Sequence, residues 1–448
     1  MPAATGRRGR ARAGLRARGL SRHRVYVLGD QAASSLSNVA VTILVANGSS
    51  QGTFGAFALA MVAYQLVTGG TRAVAGEPLL SLYADQGPRA RRGIVSDIHG
   101  TALFLAVGCS VVLGGVSPVL GGESGSALLV LAAVLPLVVL QDTWRYLFVI
   151  DRPAAALAID LVWLGGLGLA LPLIPAGAPV GHYVWAWGLG GAAGAAAGTL
   201  LGWGLPGWPH PWRWLVQHRD VCARYFAEFV TATGVSQAAF AGLAAISGAA
   251  ALGATRAAWV VFGPLAVIHS ALYMLLVPEG ARQRHDRARL QRKFLLASAA
   301  SMAVATVWTL VALGLPTAWG VKLFSDTWAE TDSLLVPMGL VTIAGGALSG
   351  GLLGLRALGD ARRSLRARLW STPLLAGLPL AGAVLADATG FVLGWALGNA
   401  VAAGIWWTLF REVPTAAPEP DDPAPGEPGR NNGRGTPTSA KQEVGARP

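Results

Sequence analysis

Residues 25–46 read VYVLGDQAASSLSNVAVTILVA, a run apolar enough to enter a bilayer that still carries polar groups. Stepping 100° per residue from Asp30 gathers Asp30, Gln31, Ser34, Ser35, Ser37, Asn38 and Thr42 into one arc of about 160°. Ala32, Ala33, Leu36, Val39, Ala40 and Ile43 fall on the opposite arc. The segment before it, residues 1–24, holds eight arginines and no acid. A cleaved leader needs an unbroken apolar region and a small-residue cleavage site, whereas this run is interrupted by Asp30, Gln31 and Asn38 and continues to Ala46. Residues 25–46 therefore read as an uncleaved first transmembrane helix with one wet face.

Stretches of similar length recur along all 448 residues, of which 53% are hydrophobic and 13% charged. A soluble domain carries about 25% charged residues. Each stretch is long enough to cross a hydrocarbon layer of about 30 Å as a helix. The expected spans in the first half are 25–46, 54–80, 98–120, 125–148, 153–174 and 181–205. Those in the second half are 223–248, 254–278, 294–315, 333–355, 370–387 and 390–410. The fold class that follows is all-α: a polytopic membrane protein of about 12 transmembrane helices in two six-helix lobes.

Charge placement supports this count. With the N-terminus inside, every Lys and Arg of the 35 except Arg72, Arg256 and Lys322 falls on the cytoplasmic side. That tally assigns Arg145 to an inner helix end and Arg356 to Arg368 to an inner loop. The domain plan is a basic cytoplasmic segment 1–24, an N-lobe 25–205, a cytoplasmic linker 206–222, a C-lobe 223–411 and a disordered cytoplasmic tail 412–448. Trp208, Trp212 and Trp214 beside the linker read as interfacial anchors. The expected location is the cell membrane, multi-pass, with both termini cytoplasmic.

The net charge of +12 does not indicate nucleic-acid binding, because the arginines occupy short loops between apolar stretches. Cys109 and Cys222 fall at different depths and are not expected to pair. No phosphate-binding GK[ST] loop, HExxH or CxxC is present, so neither an enzyme nor a bound cofactor or metal is expected.

The halves echo one another. Asp30 and Glu228 each follow the start of a first helix, Phe54-Gly55 and Leu252-Gly253 each open a second, and Pro78 and Pro278 each close it. Parallel repeats of this kind describe transporters whose lobes rock about a central site.

Ionisable and polar groups within spans are functional candidates because burying them in lipid is costly. Asp30, Gln31, Ser34 and Asn38 either line an aqueous cavity or hydrogen-bond between helices. Glu228 and Gln237 repeat the theme on the seventh span. Arg72 either snorkels to the surface or faces the cavity, where it would attract an anionic head group. Arg256 has the same two readings, and Arg145 reads as a snorkelling residue. Glu77 needs a partner from another helix. His269 reads as a buried neutral ring or a proton carrier. Asp160 and Asp387 lie near helix ends and carry little weight.

Several strings resemble polysaccharide-export flippases of the multidrug/oligosaccharidyl-lipid/polysaccharide exporter superfamily. They are Leu252-Gly253-Ala254-Thr255-Arg256-Ala257-Ala258, Gly263-Pro264 and Pro278-Glu279, with Phe54-Gly55-Ala56-Phe57, Arg72-Ala73 and Gly76-Glu77-Pro78-Leu79-Leu80 in the first half. The resemblance implies two six-helix lobes around a central cationic cavity. It implies transport of a lipid-linked saccharide across the bilayer by alternating access, driven by a coupling ion, with envelope polysaccharide synthesis proteins as partners. Drug-exporting relatives use an acid in the first helix for cation coupling, a role the resemblance would give to Asp30. The rival reading is a major-facilitator exporter of a small molecule, on the strength of Ser81-Leu82-Tyr83-Ala84-Asp85-Gln86-Gly87-Pro88-Arg89-Ala90-Arg91-Arg92.

Overall fold

The computed structural model describes residues 22–38, 51–86, 88–175, 177–202, 210–324 and 328–413, with Val41, Val45 and Ser49. The expectations for residues 1–21, Thr42, Trp208 and the tail from 414 lie outside these. Every regular element among the described residues is helical. Among the described residues, ten helices are long and apolar enough to cross a membrane. The last of these, Ala361–Arg411, doubles back at Ala386 and Asp387 and supplies two crossings. With 22–38 as the opening helix, twelve crossings are present among the described residues.

We label them α1 (22–38), α2 (Gln51–Thr71, extended through Arg72–Gly76 and Glu77–Leu82), α3 (Pro88–Leu120), α4 (Gly122–Asp151), α5 (Pro153–Ala170) and α6 (Val180–Leu201). After a short helix, Pro211–Gln217, come α7 (Arg219–Gly248), α8 (Ala250–Val261 and Gly263–Ala281), α9 (Arg287–Leu313), α10 (Leu335–Ala357), α11 (361–385) and α12 (388–411). Gly248, at φ 88°, makes the turn between α7 and α8. α11 and α12 touch backbone to backbone, since a Cβ on Gly382 would collide with the Gly390 carbonyl. Small residues permit such close approach where lipid offers no hydrophobic drive.

Three large clusters of buried residues show how the halves meet. One, from Val41 to Trp187, belongs wholly to the first half, and another, from Ala239 to Ala396, wholly to the second. The third joins Leu79, Ile150 and Trp214 to Met274, Leu355 and Phe410. It lies at the end of the molecule where the basic loops emerge. The halves are thus sealed together at this basic end, while each keeps its own core toward the opposite end.

Polar contacts reinforce the seal. Arg282, from the end of α8, donates to the Ala84 and Ile150 carbonyls at 3.0 and 2.8 Å. Arg284 pairs with Asp85 at 2.7 Å. Trp214 is fully buried, which corrects its reading as an interfacial anchor, whereas Trp212 is exposed. The cause is the π-helical turn Arg72–Gly76 in α2. A π turn breaks the regular ladder, and here the Val74 carbonyl accepts from Trp214 Nε1 at 3.0 Å and from Cys222 Sγ at 3.2 Å. Neither Cys109 nor Cys222 is in a disulfide.

Candidate functional site

Between the halves lies a cavity of about 440 Å³. The first half contributes Gln31, Arg72, Glu77, Arg145 and Tyr146, and the second His269, Ser270, Tyr273 and Ser349. Behind its wall each half holds a buried ion cluster, and the two are built on corresponding helices.

In the first half, Arg145 of α4 lies between Asp30 of α1, at 2.9 Å, and Asp160 of α5, at 3.2 Å. Its Nη1 is 3.7 Å from Asp142, one helical turn earlier. Asp142 in turn takes two hydrogen bonds from Arg72, at 2.8 and 2.7 Å. Gln141 donates to the second oxygen-bearing arm of the cluster, Asp160 Oδ1. Three carboxylates therefore surround two guanidiniums. Asp30 Oδ1 and Asp160 Oδ2 are buried without a hydrogen-bond donor among the described residues. One negative charge is in surplus, and a single proton would balance it.

In the second half, Arg356 of α10 is 3.1 Å from Glu228 of α7 and 2.9 Å from Glu77 of α2. Ser364 of α11 donates to the other oxygen of Glu228 at 2.8 Å. Arg368, also on α11, approaches Glu228 only to 3.9 Å. The Arg356 guanidinium lies 3.8 Å over the Tyr225 ring. Glu77, whose partner the sequence left open, thus crosses from the first half to join the second-half cluster. Arg356 is shared between halves.

The expected correspondence of Asp30 and Glu228 acquires a physical content here. Each acid sits on the first helix of its half and binds the buried arginine of the fourth, beside a polar group of the fifth. The buried arginines are corrections to the charge tally. Arg145 is 4% exposed and Arg356 6%, so neither snorkels nor belongs to a solvated loop.

The other candidates separate. Gln31 and Arg72 face the cavity, whereas Asp30 and Glu228 lie behind it in the ion clusters. Asn38 is exposed and its amide donates to the Ser34 carbonyl, and neither residue lines this cavity. Gln237 accepts from Arg256 at 3.3 Å, and the Arg256 guanidinium lies 4.0 Å over Phe240. This is away from the cavity between the halves. His269 lines that cavity, its Nδ1 2.8 Å from the Leu265 carbonyl. Gly76 lets Tyr146 pack against α2, since a Cβ there would lie 2.6 Å from the ring.

No family model matches the chain, and no curated protein matches it by sequence. Solved structures do share its fold. A MATE transporter in its straight conformation superposes with a TM-score of 0.74 at 14% identity, covering 88% of this chain and 94% of that one. An outward-facing multidrug resistance MATE family transporter of the MOP superfamily gives 0.72 at 13%, with the same coverage. A MOP superfamily transporter from Pyrococcus furiosus, described as having a binding pocket of reverse polarity, gives 0.72 at 14%. The fold is that of MATE transporters within this superfamily.

Proposed function

We propose that the chain is an alternating-access exporter of drug-sized organic molecules, coupled to movement of protons. This replaces the lipid-linked saccharide as the leading substrate. The observation that carries it is the pairing of Arg72. A phosphate-binding cavity needs a cation whose charge is unmatched, but Arg72 is neutralised by Asp142 through two hydrogen bonds, in a cluster that carries one carboxylate more than it has guanidiniums. A cavity of about 440 Å³ also falls within the roughly 300–1,000 Å³ typical of small-molecule pockets. The fold shared with MATE transporters supports the same reading.

The surplus negative charge around Arg145 supplies the coupling element. We place the exchangeable proton on the Asp30–Asp160 pair, where it would be taken up or released as the halves change their packing. In this reading the basic end faces the cytoplasm, and the seal there makes the described state open toward the other side.

One feature favours the saccharide carrier as a second reading. A groove of about 670 Å³ at the basic end combines Arg289 and Arg292, and Arg24 and Lys293 that both pair with Glu279, with Leu272, Leu275 and Leu276. Such a surface suits a lipid phosphate with its tail.

The test is flux in proteoliposomes under an imposed pH gradient. A cationic and a zwitterionic fluorescent drug are compared with a fluorescent lipid-linked saccharide. The proposal expects gradient-dependent drug movement; transport of the lipid-linked saccharide alone would overturn it.

A further inference from the structure

The second half lines another cavity, partly open at its mouth and of about 180 Å³, between α7, α11 and α12. It shares no lining residue with the cavity between the halves. Its chemistry is graded along the helix axes. α11 enters from the basic end, so Arg368 lies deepest on that side, with Thr372 one turn further along. α12 returns from the opposite end, bringing Phe391, then Trp395, then Asn399. Phe240 of α7 completes an aromatic wall, with ring centroids 5.9 Å from Phe391 and 5.5 Å from Trp395.

Three rings by themselves suit a cation or any flat apolar body. The charges decide between these. No carboxylate lines the cavity, whereas Arg368 does. Arg256 already lies 4.0 Å over the Phe240 ring. Arg368 is also the least neutralised arginine of its cluster. Its carboxylate is 3.9 Å away, and that same Glu228 oxygen is held at 3.1 Å by Arg356. Its side chain is 16% exposed, so that charge is neither fully solvated nor closely matched. A largely buried guanidinium without a close carboxylate gains from an anionic acceptor.

Size narrows the class. A cavity of about 150 Å³ accommodates benzene. One of about 180 Å³ therefore takes a single ring with a compact head group. We infer that this cavity is a binding site for a small aromatic anion of benzoate size. The ring lies against Phe240, Phe391 and Trp395, and the carboxylate meets Arg368 and the Asn399 amide, whose second hydrogen is not used by the Val341 carbonyl. The inference is independent of the transport reading, because the cavity belongs to one half and binding is measured without flux.

The probe is 4-fluorobenzoate, followed by fluorine NMR line broadening on the full-length protein in detergent micelles. Its neutral isostere, 4-fluorobenzamide, and protein-free micelles are the comparisons. The expected result is binding of the acid at least about tenfold tighter than the amide, equivalent to about 1.4 kcal/mol. Arg368→Gln should abolish that preference while leaving the amide's affinity in place. Trp395→Leu, which removes a ring and no charge, should weaken both probes together and stands as a second variant if Arg368→Gln does not fold. Equal affinity for acid and amide, or no broadening beyond that of empty micelles, would overturn the site. So would a folded Arg368→Gln that keeps the preference.

Discussion

Arg145 Nε stands 2.9 Å from Asp30 Oδ2, joining two residues 115 positions apart in a setting where both are nearly excluded from solvent. Removing one partner of a buried pair leaves an uncompensated charge, at a cost of about 3–5 kcal/mol. Arg145→Ala should therefore destabilise the protein by about that amount, since Asp30 and Asp160 would lose the cation they share. Thermal unfolding in detergent measures it. The double variant Asp30→Asn with Arg145→Gln should recover most of the loss.

Asp160→Asn is expected to behave in the opposite way. It removes the surplus charge and imitates the protonated state, so the unfolding temperature should equal or exceed that of the unaltered protein. Transport should lose its response to a pH gradient in the same variant. Proteoliposome flux with and without the gradient checks the second half of this prediction.

Two of the ion pairs that join the halves at the basic end, Arg284–Asp85 and Arg356–Glu77, should differ sharply. Arg284 and Asp85 are 40% and 21% exposed, and exposed pairs contribute about 0–1 kcal/mol. Arg284→Ala should alter stability by less than about 1 kcal/mol. Arg356 is buried between Glu77 and Glu228, so Arg356→Gln should loosen the seal. Labelling of a cysteine at Ser349 by an impermeant maleimide from the basic end should then accelerate by about tenfold or more, the factor that 1.4 kcal/mol confers.

His218 gives the basic end a dependence on acidity. Its ring lies 3.0 Å from the Tyr83 hydroxyl, and desolvation lowers its pKa from the usual 6.5. The folded state therefore resists protonation more than the unfolded one. Its stabilising contribution is complete above pH 6.5 and is lost as pH falls through the lowered value. His218→Gln should flatten the loss of stability below about pH 6.5, read from unfolding temperatures across pH.

The helices and their pairing into halves were legible because hydropathy and the spacing of apolar runs act locally. The breaks inside α7–α8 and α11–α12 fell close to the expected boundaries, at Gly248 and at Asp387. The ion clusters were legible only in part. Asp30 and Glu228 stood out as acids within spans, and their matching positions survive as equivalent roles. Arg145, Arg356 and Arg368 were hidden by their closeness to helix ends, where arginines normally reach water. The spacing of Asp142 and Arg145 was the one local signal that a pair lay inside. Asp160 became meaningful only through α1 and α4, a contact no spacing rule encodes. The polar face of α1 also divided, with Gln31 toward the cavity and Asp30 toward Arg145. Periodicity indicates the side of a helix and not which neighbour covers it.

The central claim is that the halves rock about the cavity they share, closing one end as the other opens. Paired spin labels test it in a protein whose Cys109 and Cys222 are replaced by alanine. One pair, at Gln86 and Arg289, reports the basic end, and a second, at Val119 and Leu385, reports the opposite end. Shifting from alkaline to acidic conditions, or adding a transported drug, should lengthen one distance while shortening the other. Distances that stay fixed at both ends, or that lengthen together, would contradict an alternating-access exporter.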